Sequence, residues 1–80
     1  MYIEADGKIY TFYDHAVTRM RQRDIAFEWV ETTLQDPDDL VKLTSNRMAY
    51  DKTFLENRIV RVVVDEELQQ IVTVYYVDEA

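Results

Sequence analysis

Segments 58–64 and 70–77 are dense in valine, isoleucine and tyrosine, and the acidic, turn-prone group Asp65-Glu66-Glu67 lies between them. Side chains that branch at Cβ or carry a ring fit a pleated, half-buried surface. A link this short favours antiparallel neighbours. The chain therefore predicts two paired strands near its C-terminal end. Strand side chains leave on alternate faces, so Val60, Val62 and Val64 share one face while Ile59, Arg61 and Val63 share the other. Arg61 interrupts that second, otherwise apolar face. In the last strand Val72, Val74 and Tyr76 alternate with Ile71, Thr73, Tyr75 and Val77, and neither set reads as purely solvent-facing. One face is expected to meet helices, the other a groove or a partner.

Upstream, the same turn logic adds strands over 40–43 and 47–55, bounded by Ser45-Asn46 and Glu56-Asn57. Sequential antiparallel pairing of these four strands is the economical topology. Residues 2–5 and 8–12 flank Asp6-Gly7, the form of a two-residue hairpin turn with positive φ. Between hairpin and sheet the period changes to that of helices. Asp14 is positioned to cap a helix over 15–23, on which Ala16, Val17 and Met20 form the apolar stripe. Asp24 falls where a left-handed residue ends that helix, and Ile25 can staple onto Val30 across the poor cap Ala26. A second helix over 27–35 presents Phe27, Val30 and Leu34 to the core and stops at Asp36-Pro37. The fold class is α+β: an N-terminal hairpin, two short helices, then a four-stranded antiparallel sheet, all in one domain over residues 1–80.

A chain of 80 residues buries roughly 60% of the surface it exposes when unfolded, so one core is all it can build. With no cysteine, neither a disulfide nor a thiolate metal site can brace that core. No segment approaches the roughly 20 apolar residues needed to cross a bilayer, and no signal peptide opens the chain. The expectation is a cytoplasmic protein. Sixteen acidic against nine basic residues give a net charge of −7, which repels polyanions at long range. A nucleic-acid role must then rest on a local patch.

Residues His15-Ala16-Val17-Thr18-Arg19-Met20-Arg21-Gln22-Arg23 supply such a patch. His15, Arg19 and Arg23 fall at i, i+4 and i+8, along one helical face. Imidazole exchanges its proton near neutrality, while guanidinium groups stay charged and grip phosphate oxygens bidentately. At the first turn His15 faces the positive end of the helix dipole, which favours a base role. From the sheet, Tyr50, Lys52, Arg61 and Tyr75 are candidate substrate-binding residues, offering stacking surface, phosphate contacts or a phenolic proton. A single histidine and no thiol argue against a metal site, and no cofactor is called for.

The nine-residue segment resembles the His-Ala-x-x-Arg-Met-x-x-Arg signature of small bacterial domains of unknown function. Tyr50-Asp51-Lys52 matches that family's Tyr-x-Lys strand, and Ile71-Val72-Thr73-Val74-Tyr75 its closing strand, so the resemblance runs from His15 to Tyr75. Asp24 stands where the family favours glycine, and Ala26 where it favours a serine or threonine cap. Such domains are grouped with RelE-like toxins and the barnase, colicin and RelE nuclease fold. The resemblance implies metal-independent RNA cleavage, with His15 moving protons, Arg19 and Arg23 binding phosphate, and RNA and an antitoxin as partners.

Structural roles compete with each assignment. His15 can serve as a first-turn hydrogen-bonding residue, and Arg19 and Arg23 can form ion pairs with Asp14, Glu28 or Glu31 worth roughly 0 to 1 kcal/mol each. Tyr50, Tyr75 and Tyr76 suit strand packing, and Trp29 suits a core or interface. The rival function is a non-catalytic interaction module that pairs a sheet face or an edge strand with another chain, including a second copy of itself.

Overall fold

In the computed structural model, which describes residues 1–79, the chain runs β1 (Tyr2–Ala5), β2 (Lys8–Phe12), α1 (Asp14–Gln22), α2 (Phe27–Gln35), β3 (Asp39–Lys42), β4 (Arg47–Thr53), β5 (Ile59–Asp65) and β6 (Gln70–Tyr76). The α+β class holds, and the sheet is larger than expected. Its six strands lie in the order β1-β2-β6-β5-β4-β3. The four C-terminal strands pair sequentially and antiparallel, as their short links require. The hairpin, expected to stand apart, joins them through a short parallel contact in which Thr11 pairs with Gln70 and Phe12 with Ile71. No local pattern announces that contact, because the residues it joins lie at opposite ends of the chain. Within the hairpin, Asp6 and Gly7 take φ of 52° and 75°, the conformation their turn needs.

Both helices cover one face of the sheet. Val60, Val62 and Val64 from β5 and Ile71, Val74 and Tyr76 from β6 are buried there with Ile3, Ala5 and Tyr10 of the hairpin. Ala16 and Met20 from α1 and Val30 and Leu34 from α2 close the cluster. Each fully buried aliphatic side chain contributes roughly 1.5 to 3 kcal/mol. Trp29 sits at the margin, its ring stacked on Phe54 with centroids 4.4 Å apart. This is the packing role expected of it.

Three local expectations need correction. Alternation along β6 fails because a bulge intervenes: Val63 pairs with Thr73, but Val64 pairs with Ile71. The extra residue, Val72, lets Ile71 and Val74 both enter the core, three positions apart, and bends the strand locally. β4 ends at Thr53 rather than at residue 55, because Glu56 and Asn57 adopt φ of 62° and 60° in the tight turn that follows. Asp14 is the first residue of α1 rather than its cap. The cap position is Tyr13, which makes no side-chain capping bond. Its N–H donates to Ile71 O at 3.0 Å, so the parallel contact fixes where strand becomes helix.

The end of α1 follows the sequence closely. Asp24 has φ 55°, the Ile25 N–H donates to Met20 O at 2.9 Å and the Asp24 N–H to Arg21 O at 3.4 Å. This is a Schellman arrangement, closed by apolar contact between Met20 and Ile25 in the core. Aspartate tolerates the left-handed conformation less well than glycine, and the apolar closure holds it there.

Candidate functional site

α1 starts beside β6 because Tyr13 is tied to Ile71, and this places its first turn over the end of the sheet. Ala16 and Met20 face inward, which leaves His15 exposed and Arg19 half-buried on the outer side. The Arg19 Nε–H donates to His15 Nε2 at 3.0 Å, and Arg19 Nη1 donates to Gln22 Oε1 at 3.0 Å. An imidazole nitrogen that accepts a hydrogen bond carries no proton, so this arrangement selects the neutral tautomer with its proton on Nδ1. Phe12, Tyr13, Asp14, His15, Thr18 and Gln70 line an open depression of about 540 Å³ beside the pair.

Arg23 caps the other end of α1 and turns toward the part of β6 that β2 does not reach. Its Nη1 donates to Val74 O at 3.0 Å, and its guanidinium carbon stands 5.9 Å from the centre of the Tyr75 ring. Arg23 thereby satisfies an edge carbonyl and keeps its other N–H groups for further partners. Neither Arg19 nor Arg23 pairs with Asp14, Glu28 or Glu31. Their partners are an imidazole, an amide, a carbonyl and a ring.

The four sheet residues are not gathered at His15. Asp51 and Arg61 are cross-strand neighbours, and their side chains lock on the face away from the helices, with Nε to Oδ1 and Nη2 to Oδ2 both at 2.8 Å. The Asp51 carboxylate, with the Tyr75 hydroxyl oxygen as a further acceptor, holds Arg61 even more firmly cationic than an ordinary arginine. Tyr75 thus connects Arg61 to Arg23 across the edge of β6.

Lys52 points to the opposite face from Asp51. There its Nζ donates to Asp36 O at 2.8 Å and meets Asp36 Oδ2 at 3.3 Å and Asp38 Oδ1 at 3.6 Å. A cation at the C-terminal end of α2 satisfies the last carbonyls and complements the dipole. Tyr50 also lies on the helix face, where its hydroxyl donates to Glu66 Oε1 at 2.7 Å. Burial, then hydrogen bonding to Glu66 and Tyr10, pushes its phenol well above the usual tyrosine range. Neither Lys52 nor Tyr50 lines the depression at His15.

Tyr13, Thr18 and Gln70 stand beside His15 and carry no signal in the sequence, since strand-to-helix junctions and strand starts are not marked by chemistry. Among the described residues, no group of three or more histidine, aspartate or glutamate side chains converges on a point where a metal could sit. No helix among them is long and apolar enough to cross a membrane.

Sheet, helices and surface cluster together define a small α+β domain with one helix-covered sheet face and a histidine–arginine pair held over a solvent-open depression. The chain belongs to the family described as a domain of unknown function (DUF4258), whose model matches residues 12–76, from the end of β2 through β6. No curated protein and no solved structure matches it.

Proposed function

We propose that this domain is a metal-independent RNA-cleaving domain of the toxin-like, RelE-related kind, with His15 as the proton-transfer group. The observation that carries the reading is the contact between Arg19 Nε and His15 Nε2, 3.0 Å long and facing an open depression. It couples a neutral imidazole to a cation that no carboxylate of the described residues neutralises. An arriving phosphate outcompetes the imidazole for Arg19, because a charge-assisted bond to an anion is about twice as strong as a neutral one. That exchange frees Nε2 to accept a proton.

The ribose 2′-hydroxyl then loses its proton to His15 while its oxygen bonds the adjacent phosphorus. The bond from phosphorus to the 5′-oxygen breaks, leaving a 2′,3′-cyclic phosphate and a 5′-hydroxyl whose proton comes from solvent at this open site. Arg19 stabilises the charge that grows on the phosphoryl oxygens, and Arg23, at the far end of α1, would hold a neighbouring phosphate of the strand. RNA and a neutralising antitoxin are the partners this reading calls for.

Expression of the wild type, His15→Ala and Arg19→Ala chains without any antitoxin tests it. The wild type is expected to arrest growth and degrade RNA in excess chelator, and His15→Ala to lose roughly 10²- to 10⁴-fold in rate. Intact RNA and normal growth with the wild type would overturn the proposal.

A second reading, an interaction module, draws on edge strand β3, where Leu40 and the adjoining Leu43 are 53% and 43% exposed. A concentration-dependent dimer with no RNA affinity at low salt would favour it.

A further inference from the structure

A second hollow of about 280 Å³ adjoins the depression at His15, enclosed by Tyr13, Arg47, Asp65, Leu68, Gln70 and Val72. Tyr13 and Gln70 line both, so the two compartments share a wall. Backbone pins that wall in place. Tyr13 N–H bonds Ile71 O, and Gln70 pairs with Thr11. The β6 bulge then turns Val72 away from the core and into the new hollow.

We propose that this hollow is a nucleobase subsite and that it takes guanine from single-stranded RNA. The inference rests on the ribonuclease reading for the phosphate that would lie next to it, at His15. Its recognition chemistry comes from Arg47 and Asp65, directly opposed across β4 and β5, whose side chains leave the sheet on the same face. These opposite charges do not close on each other. The exposed Arg47 guanidinium makes no hydrogen bond or ion pair with any described residue. Asp65 uses Oδ1 to accept the N–H groups of Glu67 and Leu68, both at 3.0 Å, and its Oδ2 stays available.

An unneutralised guanidinium beside a fixed carboxylate suits a ligand that presents acceptors and donors along one continuous edge. Guanine offers O6 and N7 to an arginine fork, and its N1–H and N2–H groups suit the carboxylate. Adenine reverses that polarity, turning an amino group toward Arg47 and the unprotonated N1 toward Asp65. Pyrimidines present fewer of the required groups. Tyr13 and Leu68, 54% and 65% exposed, flank the hollow as apolar walls between which a base can lie.

The test is titration of the folded protein with the 5′-monophosphates of guanosine, adenosine, cytidine and uridine, read by amide NMR shifts. Guanosine monophosphate is expected to bind at least tenfold more tightly than the others. Arg47→Ala should lose tenfold to hundredfold in that affinity, the range of one bidentate base contact, with its unfolding midpoint unchanged. His15→Ala should keep the guanine preference. Equal or absent binding of the four nucleotides, or a preference that survives Arg47→Ala, overturns the subsite. RNA cleavage measured on the same samples separates the two claims. Cutting without guanine preference sinks the subsite alone, whereas guanine preference without cutting sinks the nuclease reading alone.

Discussion

Arg61 and Arg19 place the same side chain in two settings. On the outer sheet face Arg61 is closed by both oxygens of Asp51 at 2.8 Å, with side chains only 20% and 12% exposed. On α1, Arg19 rests on an imidazole and an amide of its own helix. The first guanidinium is committed to the fold, since a neutralised fork has little left for a phosphate. The second keeps its full charge at the surface. A net charge of −7 therefore says less about function than the question of which cations have a carboxylate within reach. Among the described residues Arg61 and Lys52 have one, and the α1 arginines and Arg47 do not.

This contrast is open to attack at several strengths. Arg61→Ala is expected to cost the most stability, about 3 kcal/mol, because it strands a largely buried carboxylate. Urea unfolding would measure it, and the double variant Asp51→Leu with Arg61→Met should regain most of the loss. Arg23→Ala lies between the two settings. Losing a charged donor to Val74 O should cost about 1.5 kcal/mol in thermal unfolding, together with a reduced rate of RNA cleavage.

Lys52→Ala should cost about 1 kcal/mol or less, since Asp36 and Asp38 are mostly exposed. Cleavage should not change, and a cleavage defect there would blur the division between fold and site. The smallest effect concerns acid. The Thr53 N–H, donating to Asp38 Oδ2 at 2.8 Å, and then Lys52, hold the Asp38 carboxyl below its usual 3.8. A folded-state value below the unfolded one means that the unfolded chain takes up the proton first as pH falls. The stabilisation is present above pH 3.8 and is lost as pH drops through the folded value. Asp38→Asn should flatten the acid limb of a stability curve recorded between about pH 5 and 3.

Much of the fold was legible because local patterns agreed with it. The valine alternation of β5, the turn at Asp6-Gly7, the left-handed stop at Asp24 and both helices appear where propensity and periodicity put them. What escaped was non-local. The parallel contact of β2 with β6 leaves no mark in either segment, yet it enlarges the sheet, moves the helix cap to Tyr13 and brings Gln70 beside His15. The bulge at Val72 was equally silent, since alternation reads the same with or without it.

The spacing of His15, Arg19 and Arg23 was readable because a helix turns i, i+4 and i+8 to one side, although Arg23 then diverts to the β6 edge. Tyr50, Lys52, Arg61 and Tyr75 could be named but not placed. Which face a strand residue takes is periodic, whereas the partner it finds there depends on the register of a neighbouring strand. Lys52 and Arg61 consequently ended on opposite faces, one at a helix end and one on Asp51.

On the proposed function, the His15–Arg19 pair serves chemistry rather than the fold. That reading is tested most directly by single-turnover cleavage of a short RNA in excess chelator, with thermal unfolding recorded on the same wild-type and His15→Ala samples. Cleavage by the wild type is expected, with a drop of roughly 10²- to 10⁴-fold in the variant and unfolding free energies within about 0.5 kcal/mol of each other. Equal cleavage by both chains, or a variant that loses stability and activity together, would contradict it.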